Sequence, residues 1–276
     1  MFKIRIEEKS NYRGVWFDGK TIRFAIDPSK PILELEHPEF FDVKITGKCS
    51  YGKCEYCYMS SNPSDSHYEN IIEKIQDFFG KMDENQKPFQ VAIGGGEPTE
   101  HPQFLELLKT FYDMEITPNY TTNGSFILND NKNDIVEYTK KYCGGVAVSC
   151  HSHKKDMWEE AAKLLIENKI KTNFHIIISN KKSIDTFLEI YEKWKDDIEY
   201  FVLLPQMNKG RSKDSEIDYE YFKSVLPEDK EKLAFGANFY EFLKENDFGS
   251  DLYEPEIMSK FLDLKDMKIY NSSFQT

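Results

Sequence analysis

The stretch Cys49-Ser-Tyr-Gly-Lys-Cys54-Glu-Tyr-Cys57 places three cysteines within nine residues, directly after an apolar run at residues 40–45. The chain contains five cysteines, so most of them are gathered here. A loop that turns back on itself can aim three thiolates at one metal group, whereas two thiols would suggest a redox pair and four a closed structural site. The spacing therefore predicts a metal centre at the end of a strand.

Two kinds of metal group fit these cysteines. An iron–sulfur cube needs four ligands, so a loop that supplies three leaves one iron open to another molecule. Zinc normally needs a fourth protein ligand nearby, and the next histidine along the chain is His67, ten residues after Cys57. The iron–sulfur cluster is the favoured interpretation, and a zinc site is the alternative.

A second stretch, QVAIGGGEPT at residues 90–99, is a short apolar strand that runs into three glycines, a carboxylate and a proline. Because glycine lacks a Cβ atom, Gly94–Gly96 would let a ligand lie against the backbone. Glu97 would then offer an anion to an ammonium group. No Gly-Lys-Ser/Thr sequence follows, so the stretch is not a P-loop. An ordinary turn at the end of a strand is the other interpretation.

From Phe41 the chain alternates predicted strands and helices with a repeat of about 27 residues, the length of one βα unit. Strands are predicted at 41–46, 90–93, 117–121, 146–149, 172–178 and 200–204. Helices are predicted near 66–80, 102–113, 130–142, 154–168 and 183–195. This α/β pattern predicts a partial (β/α)6 barrel of the TIM type. Right-handed crossovers would bring every loop that follows a strand to one mouth.

The remaining segments divide the chain into three predicted parts. Residues 1–38 form an N-terminal β extension, 39–210 the barrel, and 211–276 a mostly helical C-terminal extension that covers the barrel. In the first part, Asp18-Gly19 between two alternating runs predicts a β-hairpin. The hairpin is expected to cap the barrel bottom, with substrate binding as the alternative. In the third part, helices are predicted at 219–226 and 230–246.

The three-cysteine loop after one strand and Gly-Gly-Glu-Pro after the next resemble the radical S-adenosylmethionine (radical SAM) superfamily over residues of about 40–210. The usual family spacing is Cys-x3-Cys-x2-Cys, whereas four residues separate Cys49 from Cys54, so the loop must bulge by one residue. The C-terminal part is similar to relatives with auxiliary-cluster extensions. However, Ser272 and Ser273 stand where a thiolate would be expected, and no cysteine follows Cys150 in this sequence, so a second cluster is not expected from these residues.

The resemblance implies a [4Fe–4S] cluster held by Cys49, Cys54 and Cys57, with S-adenosylmethionine on its open iron. An external one-electron reductant of the flavodoxin or ferredoxin type would reduce the cluster. S-adenosylmethionine would then be cleaved to a 5′-deoxyadenosyl radical that abstracts hydrogen from a substrate. The candidate cofactor-binding residues are Tyr56, Gly94, Gly95, Gly96, Glu97, Pro98, Thr122, Asn123, Ser149, His151 and His175.

Strand alternation predicts which side chains face the barrel interior. It places Ser149 and His151 on the interior face of the fourth strand and His175 on that of the fifth. Each histidine can instead be a structural residue. The same alternation turns Cys150 towards the helices, where it is expected to be a small buried residue rather than a radical-quenching thiol. Cys143, at a helix end, is expected to be inert.

The formal net charge of −12 opposes a nucleic-acid groove, because phosphate binding needs a basic surface. Basic residues nevertheless collect in the loops after the last three barrel strands, on the predicted mouth side. They are Lys154, Lys155, Lys181, Lys182, Lys209, Arg211 and Lys213. This distribution suggests an anionic small-molecule, nucleotide or peptide substrate, with ordinary solvated loops as the alternative.

Location and a rival function complete the sequence-based expectations. The sequence shows neither a membrane helix nor a signal peptide, and cysteines clustered for metal fit a reducing compartment, so a cytoplasmic protein is expected. The rival function is a non-catalytic zinc-binding protein that recognises a partner on a degenerate barrel. That function explains the cysteines but gives no reason for Gly-Gly-Glu-Pro.

Overall fold

The computed structural model describes residues 2–52, 54–150, 155–213, 215–246 and 255–275. Its strands are β1 (Phe2–Glu7), β2 (Tyr12–Phe17), β3 (Lys20–Ala25), β4 (Phe40–Thr46), β5 (Gln90–Gly95), β6 (Thr117–Thr122), β7 (Gly145–Ser149), β8 (Thr172–Ile178), β9 (Tyr200–Pro205), β10 (Leu233–Phe235), β11 (Ser259–Asp263) and β12 (Lys268–Tyr270). Its helices are α1 (Ile71–Phe79), α2 (Phe104–Asp113), α3 (Lys132–Tyr142), α4 (Lys155–Glu167), α5 (Lys181–Trp194), α6 (Tyr219–Val225), α7 (Tyr240–Glu245) and α8 (Pro255–Met258).

Strands β4–β9 form the barrel sheet, and each pairs in parallel with its neighbours in the chain. Alternation along β4 separates two environments: Phe41, Val43 and Ile45 are buried in the core, whereas Asp42 lines the barrel interior. The predicted partial (β/α)6 barrel is confirmed, with strand boundaries that differ by at most two residues.

The helices α1–α5 connect these strands and contribute apolar side chains to the same core cluster. In α1, for example, Phe79 packs edge-to-face on Phe41 of β4, with ring centroids 5.5 Å apart. All five predicted helices are present, although α1 begins at Ile71 rather than near residue 66. None of the helices in the described segments has both the length and the hydropathy needed to cross a membrane.

Three short strands from the C-terminal part extend this sheet at its edges. Strand β10 pairs in parallel with β9, while β11 pairs in parallel with β4 and carries the antiparallel strand β12. The single helix predicted at 230–246 is therefore wrong: its first part is β10, and only Tyr240–Glu245 is an α-helix. Residues of β10 take up the free hydrogen-bonding edge of β9, and Gly236 then ends the strand beside Leu204.

The N-terminal strands β1–β3 form a separate antiparallel sheet. Asp18 and Gly19 have φ values of 50° and 83°, as the predicted hairpin turn requires. Arg5 donates to the carbonyl of Lys87, just before β5, and Lys171, just before β8, forms a 2.8 Å ion pair with Asp18. Both contacts lie at the amino ends of the barrel strands. The predicted hairpin and its position at the barrel bottom are confirmed.

Candidate active site

A cavity of about 390 Å³ lies inside the mouth of the barrel. The predicted site residues that line it are Cys49, Cys54, Tyr56, Cys57, Gly94, Gly95, Gly96, Glu97, Thr122, Asn123, Ser149 and His175. Pro98 is buried in the 3₁₀ turn that follows Glu97, and His151 lies outside the described residues. The loops after β4, β5 and β6 thus meet at one cavity, as barrel topology predicts.

The cysteine loop doubles back on itself. The backbone N–H of Cys49 donates to the carbonyl of Asn62 at 3.2 Å, which joins the two ends of the loop. Gly52 has a φ of +42°, and a Cβ atom there would overlap the side chain of Pro63. Its N–H donates to the Sγ of Cys49 at 3.4 Å. This tight glycine turn lies within the four-residue spacer that makes the loop longer than usual.

The three thiols line the cavity wall together. Burial, and then the proximity of Cys57 and Cys49, raises the pKa of Cys54 to about 12, so metal binding must displace its proton. Within the described segments, no three Cys, His, Asp or Glu side chains converge as ligands of a single metal ion. Each thiolate of a cube-shaped cluster binds a different iron, so these ligands surround the group instead of meeting at one point. An all-thiol set around a cavity fits such a cluster.

The glycine run has two different structural roles. A Cβ atom at Gly95 would overlap the carbonyl oxygen of Thr46, and one at Gly96 would overlap that of Lys48. Close approach also lets Gly96 donate its N–H to Thr46 at 2.9 Å. By contrast, a Cβ atom at Gly94 would have no heavy atom within 4 Å. Gly95 and Gly96 therefore make room for the cysteine loop, whereas Gly94 leaves space in the cavity.

Glu97 joins the glycine turn to the loop after β6. Its Oε1 accepts hydrogen bonds from the hydroxyls of Thr99 at 2.6 Å and Thr122 at 2.8 Å, and its Oε2 accepts one from the N–H of Asn123 at 2.7 Å. All of these donors are neutral. Burial outweighs them and raises the pKa of Glu97 to about 7. Since Oε2 accepts one hydrogen bond from the described residues, it keeps a lone pair that a cationic group can take.

Asp42 is a site residue that the sequence reasoning missed. It lies on β4, lines the cavity, and has its pKa raised to about 7 by burial. No other described side chain donates a hydrogen bond to it. The available signal was its position in FFDVKIT at residues 40–46, where Asp42 interrupts an apolar run on the face opposite the core residues.

The fourth and fifth barrel strands follow the predicted phase. Val146 and Val148 are buried in the core, whereas Ser149 lies in register with His175 and both line the cavity. Burial lowers the pKa of His175 to about 4, so its imidazole is neutral at pH 7. Cys150 packs against the core, as predicted, and also borders a second cavity.

The second cavity, of about 930 Å³, lies beside the first and shares Tyr56 and Arg211 with it. Three of the basic residues predicted at the mouth line it: Lys182, Arg211 and Lys213. The other basic residues differ in their surroundings. Lys181 lies over the ring of Tyr221, Lys209 donates to the carbonyl of Phe274, Lys155 is exposed at the start of α4, and Lys154 lies outside the described residues.

The C-terminal segment also lines the first cavity. Ser273 and Phe274 contribute to its wall, and the ring of Phe274 packs 4.8 Å from that of Tyr58, directly after the cysteine loop. The Nζ of Lys209 donates a hydrogen bond to the carbonyl oxygen of Phe274 at 2.7 Å. Residues of the C-terminal part are thus part of the site.

A family model described as the radical SAM superfamily matches residues 43–199, more than half of the chain. The chain belongs to the radical SAM superfamily. Enzymes of this superfamily use a [4Fe–4S] cluster and S-adenosylmethionine, the cofactors that the thiols and the glycine turn of this radical SAM chain fit. A search of curated protein sequences found no match.

Solved structures support the same fold. SuiB from Streptococcus suis, bound to the precursor peptide SuiA, superposes with a TM-score of 0.68 at 17% identity, covering 87% of this chain and 60% of SuiB. SuiB bound to S-adenosylmethionine gives a TM-score of 0.66 at 16% identity, covering 87% and 61%. The structure of anSMEcpe with AdoMet and the Cp18Cys peptide gives 0.62 at 17% identity, covering 86% and 74%. The radical SAM chain therefore spans about 60% of the length of SuiB.

Proposed function

We propose that this chain is a radical SAM enzyme that modifies a peptide carrying acidic groups. In this proposal Cys49, Cys54 and Cys57 would hold the [4Fe–4S] cluster, and the Gly-Gly-Glu-Pro turn would hold S-adenosylmethionine. The observation that carries the proposal is that the three thiols and the Gly-Gly-Glu-Pro turn line one cavity. A larger, partly basic cavity lies next to it.

The residues around the first cavity have distinct proposed tasks. Glu97 binds the ammonium group through Oε2, and Gly94 leaves space for the methionine part. Ser149 and the neutral His175 offer hydrogen bonds without charge on the opposite wall. When bound, the reduced cluster and S-adenosylmethionine supply a 5′-deoxyadenosyl radical able to remove a hydrogen atom from a C–H bond.

The substrate class rests on the second cavity. A volume of about 930 Å³ accommodates several amino-acid residues, and its Lys182, Arg211 and Lys213 favour negative charge. SuiB with a precursor peptide and anSMEcpe with a peptide have the same fold, which supports a peptide as the substrate here. An external flavodoxin- or ferredoxin-type protein would deliver the electron.

The first experiment tests the chemistry. The protein is purified without oxygen, analysed for iron, sulfide and zinc, reduced with dithionite in the presence of S-adenosylmethionine, and assayed for 5′-deoxyadenosine by chromatography. We expect about four irons per chain and 5′-deoxyadenosine. Cys54→Ala, assayed in parallel, should give neither. One zinc per chain and no cleavage would overturn the proposal in favour of a zinc-binding protein.

The second experiment tests the substrate class. Pools of acidic peptides, length-matched basic peptides and nucleotides are each added to the reduced enzyme, and the rate of 5′-deoxyadenosine formation is compared. We expect acidic peptides to give the largest increase, reduced by added salt and in the double variant Lys182→Gln, Lys213→Gln. A salt-insensitive increase, or one given only by nucleotides or basic peptides, would exclude the acidic peptide.

A further inference from the structure

The loop after β9 holds the cysteine loop from the opposite side of the barrel. Gly210 has a φ of +63°, and a Cβ atom there would overlap the carbonyl oxygen of Tyr58. The next residue, Arg211, donates its backbone N–H to the carbonyl of Cys57 at 3.1 Å. The first and last strands of the six-stranded barrel, β4 and β9, are thereby joined across the mouth through the loops that follow them.

The side chain of Arg211 extends this contact along the cysteine loop. Its Nε donates to the carbonyl of Cys54 at 3.1 Å, and its Nη2 donates to the carbonyl of Ser61 at 2.7 Å. With the backbone contact to Cys57, one residue thus binds the main chain at two of the three cysteines, Cys54 and Cys57, and at Ser61, four residues after Cys57. A planar guanidinium that spans two carbonyls has little freedom to move, so its position is defined by these bonds.

The guanidinium also places a permanent positive charge beside the cysteines. Arginine stays protonated throughout the working pH range, and no described acidic side chain forms an ion pair with Arg211. The reduction potential of an iron–sulfur cluster depends on nearby charge and hydrogen bonds. Reduction adds one negative charge, so a fixed cation stabilises the reduced cluster more than the oxidised one.

We propose that Arg211 is a positioning residue that holds the cysteine loop and raises the reduction potential of the cluster bound there. This inference rests on the proposed function, because it requires a cluster at Cys49, Cys54 and Cys57. Under this inference Arg211 makes the cluster easier for the external reductant to reduce. In this role Arg211 acts through its charge and its bonds to the backbone carbonyls of Cys54 and Ser61.

Two variants separate charge from hydrogen bonding. Arg211→Gln removes the charge but keeps an amide donor, whereas Arg211→Lys keeps the charge and loses the planar fork. The potential of each anaerobically reconstituted protein is measured by redox titration followed by electron paramagnetic resonance, without S-adenosylmethionine. We expect a more negative potential in Arg211→Gln and a potential near that of the unsubstituted protein in Arg211→Lys.

Lys213→Gln is the matched control, because it removes one positive charge two residues away on the same loop. The carbonyl of Lys213 accepts a hydrogen bond from Gln206, and this bond does not involve the side chain that is replaced. The reduction potential of the cluster in Lys213→Gln should equal that in the unsubstituted protein. Equal shifts in Arg211→Gln and Lys213→Gln, or in Arg211→Gln and Arg211→Lys, would overturn the inference, as would an unshifted Arg211→Gln. If both Arg211 variants keep the far-ultraviolet circular dichroism of the folded chain but lose iron, the inference is reduced to the holding role, because a protein without a cluster has no potential to compare. An unsubstituted protein with zinc and no iron would instead refute the proposed function.

Discussion

The barrel bottom and the barrel mouth both bury a glutamate, but they treat its charge differently. At the bottom, Glu39 is 3% exposed and forms an ion pair with Arg23, whose Nε donates to it at 2.8 Å. The hydroxyl of Tyr12 donates to its other oxygen. Arg5, equally buried nearby, donates to the carbonyls of His37 and Lys87. Charge at the bottom is therefore compensated within the protein.

At the mouth, Glu97 is 1% exposed and has only neutral hydrogen-bond donors. Asp42 lines the same cavity, and no described residue donates a hydrogen bond to its side chain. Burial raises the pKa of both carboxyls to about 7. The cost of burying them is left uncompensated by any described cation, which suits a site that binds a cationic ligand. The difference separates charges that stabilise the fold from charges that are kept for a ligand.

The largest expected effect tests the thiols of the mouth. Replacing Cys54 with Ala removes one of three cluster ligands, and we expect iron and sulfide to fall from about four per chain to near zero. Cys143→Ala is the matched control, because Cys143 packs at the end of α3, away from the cavity. Iron and sulfide analysis measures both. A Cys54→Ala protein that keeps its full iron and sulfide would contradict the ligand assignment.

The next effect concerns the barrel bottom. Glu39→Gln leaves the guanidinium of Arg23 without its anion, and we expect the free energy of unfolding to fall by about 2–3 kcal/mol. Arg23 is 30% exposed, which keeps the loss below that of a fully buried pair. Urea denaturation measures the change. A loss under about 0.5 kcal/mol would mean that this network does not stabilise the fold.

A smaller effect is expected at the mouth. Glu97→Gln removes the charge that we propose for the ammonium group of S-adenosylmethionine, and losing a charged hydrogen bond of about 1.5–3 kcal/mol should weaken its binding about 10- to 100-fold. Equilibrium dialysis of the cluster-loaded protein measures the affinity, and iron content should not change. Glu39→Gln makes the same substitution at the bottom and should leave the affinity unaltered. If both variants lose affinity equally, the two regions do not differ as described.

The last effect is a pH dependence, which is near zero at pH 4 and grows as pH rises. Burial raises the pKa of Asp42 from 3.8 to about 7, so between these values the folded protein binds more protons at this carboxyl than the unfolded chain does. This group therefore favours the folded state below pH 4, and its contribution is lost as pH rises towards 7. Asparagine does not titrate, so Asp42→Asn should gain stability relative to the unsubstituted protein over this range, by on the order of 1 kcal/mol for each pH unit between the two pKa values.

Urea denaturation at several pH values between 4 and 8 measures that difference. A gain that grows up to about pH 7 and then levels off is the expected result. Parallel stability curves for the two proteins would show that Asp42 titrates normally and that the mouth does not hold an uncompensated carboxyl at this position.

Much of the fold could be predicted because its signals are local. Alternation of apolar residues within β4–β9 and the regular spacing of βα units need no knowledge of distant contacts. The three-residue strands β10 and β12 carry too little sequence pattern for this. Their conformation depends on the free edges that the sheet offers at β9 and β11. For this reason the sequence pattern predicts a helix at 230–246, where the structure has β10.

The candidate site also contains some residues that local motifs predict and others that depend on distant contacts. The cysteine spacing and the Gly-Gly-Glu-Pro turn were visible as motifs, and barrel topology predicted that they would meet. Asp42 carried only a weak signal, a single charge in a strand. Gly95 and Gly96 were assigned to a ligand on conformational grounds, whereas their contacts with Thr46 and Lys48 depend on the path of the cysteine loop.

By itself, the sequence determined the barrel, the family and the chemical types brought to its mouth, because strand period, cysteine spacing and glycine runs are properties of neighbouring residues. Only the tertiary structure decided which buried charges are compensated and which are not. It also decided that Arg211 binds the main chain of Cys54, 157 positions earlier. Such contacts arise only when the barrel brings its first and last strands together, so their physical cause lies in packing rather than in local sequence.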